Sequence, residues 1–238
     1  MSTALRPRAD EIPDLGVTLD AFAAAWTTLS RLLRTSPEQS VIDAVRDADL
    51  LAQWPLDATG GANRRGVRLL TRSREDAEDE VAVRRDYQRL YLGPGHLLAP
   101  PYESVHLGPS GLVFDEETLA VRAFYRRFGL QAPRLNKDPD DHVHLELELL
   151  ATLATRALDA LEVHAGADPL PARVFQLVDG IGEFLEVHAL PWHRRLGELT
   201  IEHADTAFVQ GVGQLLVGTT DASADVFAAP LTDDVPLT

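Results

Sequence analysis

The sequence predicts an all-α protein, folded as a single-domain helical bundle. Three observations carry this. Apolar residues recur at spacings of three and four along most of the chain, start and stop signals bracket those stretches, and no period-two alternation longer than about four residues is present. The first helix follows Thr18, with Phe22, Trp26, Leu29 and Leu33 on one stripe. Ser36-Pro37-Glu38-Gln39 reads as a second start, with serine at the cap and proline at the first helical position. Residues 57–66 read as a turn-rich loop, and a third helix is expected over 75–92, where Val81, Val83, Tyr87, Leu90 and Tyr91 cluster. Residues 93–111 hold four glycines and four prolines and are expected to form a long irregular loop. Asp115 then caps a helix carrying Leu119, Val121, Phe124, Tyr125 and Phe128, ended by Gly129. Asp138-Pro139 opens the longest helix, which closes at Gly166, and Asp168-Pro169 opens another that Pro191 interrupts. A last helix is expected over 205–217. The domain reading is therefore a flexible N-terminal segment, 1–17, a helical domain, 18–217, and a flexible tail, 218–238, rich in Thr, Asp, Ala and Pro.

Composition limits what such a bundle does. The chain has 238 residues, 45% of them hydrophobic, enough for a sizeable core. No apolar run approaches a membrane span, and the N-terminus shows no secretory pattern, so a soluble cytoplasmic protein is expected. A net charge of −15 repels nucleic acid and anionic lipid and attracts cationic partners. Cysteine is absent, which excludes disulfides, thiolate-held iron–sulfur clusters and thiol nucleophiles.

Two segments invite function. A long loop within a helical domain needs specific support for its backbone, and 93–105 is such a loop. At 100° per residue, His142 and Glu146 fall about 40° apart and inside the stripe formed by Leu145, Leu149 and Leu153. Polar side chains at apolar positions need partners, so His142 and Glu146 either pair or line a groove. Asp138 and Asp141 read as an acidic cap. Three chemistries are open on these residues. A metal would take His142 and Glu146, with His188 or His193 from afar, in a metal-assisted enzyme. A hydrolase would use Ser104, His142 and Asp141 but lacks a nucleophile elbow. A binding groove would use the carboxylates beside apolar walls, with Trp192, past the Pro191 break, as an anchor.

Tyr87-Gln88-Arg89-Leu90-Tyr91-Leu92-Gly93-Pro94-Gly95, then Pro100-Pro101-Tyr102-Glu103-Ser104-Val105, then Asp138-Pro139-Asp140-Asp141-His142 with Glu146-Leu147, then Phe184-Leu185, His188 and Trp192, resemble the TorD/DmsD family. The resemblance spans roughly 19–217. It implies an all-helical cytoplasmic chaperone, not an enzyme, dedicated to the catalytic subunit of a molybdopterin-containing oxidoreductase. Such chaperones bind the subunit's twin-arginine signal peptide and hold back export until the cofactor is inserted. The resemblance further implies a client-binding site of Pro101, Tyr102, Glu103, Ser104, Asp141, His142, Glu146, His188 and Trp192, with no cofactor or metal of its own. Within it Glu103, Asp141 and Glu146 supply charge to the two arginines, while Tyr102, His142 and Trp192 shape the walls. Leu97-Leu98-Ala99 and His106 depart from the family's common loop. A chaperone of the same fold that binds only the mature apo-subunit, as in assembly of non-exported nitrate reductases, is the alternative. Either a monomer or a domain-swapped dimer is compatible with the sequence.

Overall fold

A computed structural model describes residues 6–57, 61–134, 138–164 and 169–228, which include no β-strand. The core is built by three long helices, α1 (Leu15–Arg34), α8 (Val143–Val163) and α11 (Ala207–Phe227). The stripe read on α1 is buried: Phe22 and Trp26 meet at 5.1 Å between centroids, and Phe227 closes on both at 5.0 and 5.9 Å. Phe227 lies in the expected tail. Residues 218–227 instead complete α11, with Thr219, Ser223 and Phe227 buried. The small and polar residues that read as tail composition are the inner face of a closely packed helix. At the other end, Ala9 and Ile12 enter the core and α1 begins at Leu15, so residues 6–17 are packed rather than free.

Between α1 and the loop, the chain forms α2 (Gln39–Val45), α3 (Ala48–Ala52), α4 (Gly61–Glu75) and α5 (Glu80–Tyr87). Residues 61–66 of α4 fall in the expected loop, and most of the remainder in a stretch to which the periodicity assigned no helix. Its outer face is arginine-rich, and its inner face is Ala62, Asn63, Gly66, Leu70 and Ser73, too small to register as an apolar stripe. Those residues let α4 approach α11 closely. A Cβ on Gly218 would lie 2.6 Å from the Asn63 backbone nitrogen, and one on Gly211 3.2 Å from the Gly66 carbonyl. The N-terminus of α11 is held by two carboxylates from the α4–α5 region. Glu78 accepts from Ala207 N–H and Phe208 N–H at 2.6 and 3.0 Å, and buried Asp86 accepts from Thr206 N–H and its hydroxyl at 2.9 and 2.8 Å.

Beyond α5 the chain makes a π-helical turn (Gln88–Leu92), then the irregular segment, then a short helix α6 (Glu103–Leu107) inside the stretch expected to lack helix. Next come α7 (Glu116–Arg127), capped by Asp115 as expected, and α8. The first residue of α8 is Val143, so His142 is its cap and Asp138 and Asp141 are not. The expected helix end at Gly166 and start at Asp168 lie outside the described residues. α9 (Ala172–Phe184) runs into a second π-helical turn (Leu185–Ala189), followed by α10 (His193–His203), a helix with no counterpart in the sequence reading. Gly197 of α10 faces Gly213 of α11 as α4 faces Gly218, with a Gly197 Cβ 2.9 Å from the Gly213 carbonyl.

Because the Gly218 site abuts backbone that cannot rotate away, Gly218→Ala is expected to destabilise the fold by about 1–3 kcal/mol. Thermal melting measures it; an unchanged midpoint would show that α4 and α11 separate freely.

Candidate functional site

The irregular loop is clamped onto the segment ahead of α8. Glu103 N–H donates to Asp141 O at 3.0 Å, and Val143 N–H donates to Pro101 O at 3.0 Å, an antiparallel bridge between Tyr102 and His142. The Asp141 carboxylate, fully buried, accepts from Ser104 N–H at 2.8 Å and from the Thr118 hydroxyl at 2.7 Å. One side chain thus joins α6, α7 and the approach to α8. The neighbouring Asp140, also buried, takes the Arg122 guanidinium at 2.8 and 3.2 Å. His106 Nε2–H donates to Pro100 O at 2.8 Å and closes the loop on itself.

His142 and Glu146 do not pair. The late start of α8 turns His142 outward, toward His144: its Nδ1 accepts from His144 N–H at 3.2 Å and lies 2.8 Å from His144 Nδ1. The two rings are both held neutral, His142 pushed down to about 3 by burial and then by His144, and His144 to about 4 by burial and Arg34. Tyr102 stacks edge-on over His142, with ring centroids 4.9 Å apart. Both rings are half-buried and reach the surface.

Glu146 points into the protein. Its Oε2 accepts from Trp192 Nε1–H at 3.2 Å and lies 2.9 Å from His193 Nε2. Burial pushes the Glu146 carboxyl well above the usual range, reinforced by Glu103 and Asp141. Its Oε1 is buried and receives no donor. With the carboxyl raised in this way the protonated form of Glu146 is favoured, and neutral His193, lowered to about 3 by burial, donates from Nε2 to Oε2. Glu103 is itself raised by burial, an effect opposed by His188, whose Nδ1 sits 3.1 Å from both carboxylate oxygens. The π-helical turn is what aims His188 and Trp192 at these groups; a regular helix through 185–189 would rotate them away.

Of the nine residues singled out from sequence, seven are therefore inside: Pro101, Glu103, Ser104, Asp141, Glu146, His188 and Trp192. They form one polar frame, and only Tyr102 and His142 reach solvent. Trp192, read as an anchor or wall of the groove, is fully buried and packs on His106 at 5.2 Å. The metal arrangement loses its first pair, since His142 and Glu146 face different neighbours, and no group of three potential metal ligands occurs among the described residues. The hydrolase arrangement loses its base: Ser104 Oγ is buried with no hydrogen-bond partner. Sequence reading missed Thr118 and Arg122 and gave Asp140 and His144 no place in the site; Asp140-Asp141 adjacent to a histidine was the available signal.

These features define an all-helical protein whose loop is braced by buried polar groups. The family model described as nitrate reductase delta subunit matches residues 56–197. The chain is 32% identical over 200 residues to the Tat proofreading chaperone DmsD of Salmonella paratyphi A and to that of Salmonella typhimurium, covering 82% of this chain and 85% of each relative. It is 28% identical over 144 residues to the chaperone protein TorD of Vibrio parahaemolyticus, covering 60% of this chain and 62% of the relative. The chain belongs to the TorD/DmsD family, whose curated members among these relatives are chaperones and not enzymes.

Two outcomes follow from the frame. Asp141→Ala strands the Ser104 amide and the Thr118 hydroxyl in a dry site, and is expected to lower unfolding free energy by about 2–4 kcal/mol. Urea denaturation measures this, and limited proteolysis should show new cleavage near 99–111 as the loop loosens; retained protection would show that Asp141 does not brace it. The second outcome concerns pH. A carboxyl raised on folding stabilises fully below its unfolded value near 4.5 and loses that contribution as pH rises through its folded value. His142, His144 and His193 run the other way: their contribution is complete above 6.5 and is lost as pH falls toward 3–4. Glu146→Gln, which keeps the shape of the carboxyl without its charge, should therefore gain stability relative to the native chain as pH rises. Melting midpoints of both proteins from about pH 5 to about pH 9 test this, and parallel profiles would place the proton elsewhere.

Proposed function

We propose that this chain is a cytoplasmic, system-specific chaperone for the catalytic subunit of a molybdopterin-containing oxidoreductase. It binds the subunit's twin-arginine leader, or its apo form, and delays export until the cofactor is in place. The observation that carries this reading is the braced loop: seven buried residues hold Tyr102 and His142 at the surface in one geometry. A surface held this way is suited to repeated recognition of one ligand, because little ordering remains to be done on binding. The relatives named as Tat proofreading chaperones support the same ligand class.

With Glu103, Asp141 and Glu146 buried, their part is to position Tyr102 and His142; they do not meet arginine directly. Asp138 is the half-exposed carboxylate whose charge reaches both Tyr102 and His144, and it is the contact proposed for a leader arginine. Arg134 Nε already lies 3.2 Å from its Oδ2, so the site accepts a guanidinium in this geometry. The net charge of −15 speeds encounter with a cationic segment. No helix among the described residues is long and apolar enough to cross a membrane.

The match to the nitrate reductase delta subunit model favours one second reading, recognition of the mature apo-subunit without a leader. Calorimetric titration with the twin-arginine leader of the molybdoenzyme encoded nearest to this chain separates the two. Saturable binding that weakens at least tenfold with a Lys-Lys leader, and again with Tyr102→Ala plus Asp138→Asn, is expected. Absence of binding, with co-purification of the apo-subunit, would replace the first reading with the second.

A further inference from the structure

Among the described residues, twelve large hydrophobic side chains are exposed, and five of them fall between 107 and 119: Leu107, Leu112, Val113, Phe114 and Leu119. The periodicity of α7 placed Leu119 in the core, yet it is 59% exposed. Leu112 and Phe114 are 66% and 51% exposed. Exposed large apolar side chains concentrated in one segment of a strongly charged protein point to an interaction surface.

The segment is not slack. The Ser110 hydroxyl donates to Asp115 Oδ2 at 2.6 Å and accepts from Leu112 N–H at 3.2 Å, while Asp115 Oδ1 takes Glu116 N–H at 2.9 Å. α6 is pressed against the start of α7 at Gly108, where a Cβ would lie 2.5 Å from Ser104 O and 3.0 Å from Glu117 Oε2. Phe114 stands at φ +66°, a left-handed conformation that bulky residues rarely adopt, with half its side chain in water. Such a conformation held without packing in return is a mark of function at the position.

We propose that Leu107, Leu112, Val113, Phe114 and Leu119 form a ledge that receives the apolar run of the client's leader, with the leader's arginines at Asp138 and Tyr102. This inference rests on the leader-binding reading and adds a second subsite to it. Continuity argues for one occupant: α6 connects Tyr102 to Leu107 over roughly 8 Å, so an extended segment of a few residues spans from one subsite to the other. Charge argues for the same occupant. Asp115, Glu116 and Glu117 border the ledge, and an apolar run flanked by cations complements that charge. An anionic surface is repelled by them.

The test uses the leader described above, a second leader with its apolar run replaced by serine and its Arg-Arg pair retained, and two variants of the full chain. Leu112→Ser plus Leu119→Ser removes exposed apolar area without touching the core. Phe114→Asn places at φ +66° a residue that tolerates it, so its melting temperature should stay level or rise. Each variant is expected to bind the native leader about tenfold or more weakly, and to match the unsubstituted chain on the serine-run leader. Native affinity in both variants overturns the ledge and leaves the leader reading standing. Failure of the unsubstituted chain to bind any leader overturns both. A dimer of the unsubstituted chain that Leu112→Ser plus Leu119→Ser dissociates, with leader affinity unchanged, makes the ledge a contact between copies and overturns the proposal.

Discussion

A carboxylate with no access to water has to find its donors in the protein, and Asp141 finds one on α6 and one on α7 while its own backbone leads into α8. That constraint orders the rest of the site. It draws the Pro100–Val105 segment across the entrance to α8, which delays the helix until Val143 and frees His142 to turn outward. Glu146, one turn into the same helix, then points inward at Trp192 and His193, and burial together with the charge of Glu103 on the first turn of α6 favours its protonated form. Four separate stretches of chain are fastened through a few buried polar atoms, each dependent on the others for satisfaction.

The scaffold that supports this network relies on close helix contact rather than on bulk. α11 meets α4 at Gly211 and Gly218 and meets α10 at Gly213, so three helices stack with backbone nearly touching backbone. Phe22, Trp26 and Phe227 form one aromatic layer of the core, and the close helix contact brings α10 near enough for His193 and Trp192 to reach Glu146. The π-helical turns at Gln88–Leu92 and Leu185–Ala189 stand before and after the loop in the chain. Each shifts the helical phase once, which is how one chain delivers both the loop and His188 to the same place.

Under the proposed function, the buried polar frame and the exposed apolar residues of 107–119 have separate parts in recognition. The frame fixes shape, and its carboxylates act through position. In the proposed reading, contact with a partner falls to groups at the surface, Tyr102, His142 and Asp138, and to the exposed hydrophobic residues of 107–119. A receptor organised this way presents an acidic character to an approaching cation while keeping its most perturbed groups out of water.

Much of this was legible in the sequence. The helical periodicity of α1, α8 and α9 follows from the apolar spacing alone, and so does the helical class. The order of the Pro-Pro-Tyr-Glu-Ser and Asp-Asp-His segments marked the two stretches that form the site and the family to which the chain belongs. Periodicity failed where a helix buries small residues, as in α4 and in α11 from Gly218 onward, because glycine, alanine and serine carry no apolar signal. It placed Glu146 on the apolar stripe of α8 but held nothing on whether that acid, or Glu103 and Asp141, lines a groove or is sealed in the interior. Whether Glu103, Asp141 and Glu146 face a ligand or the interior depends on donors supplied by α6, α7 and α10, far apart in the chain. A single-helix pattern holds no record of them, so only the tertiary structure decided that these acids brace the site and that Leu119 faces water.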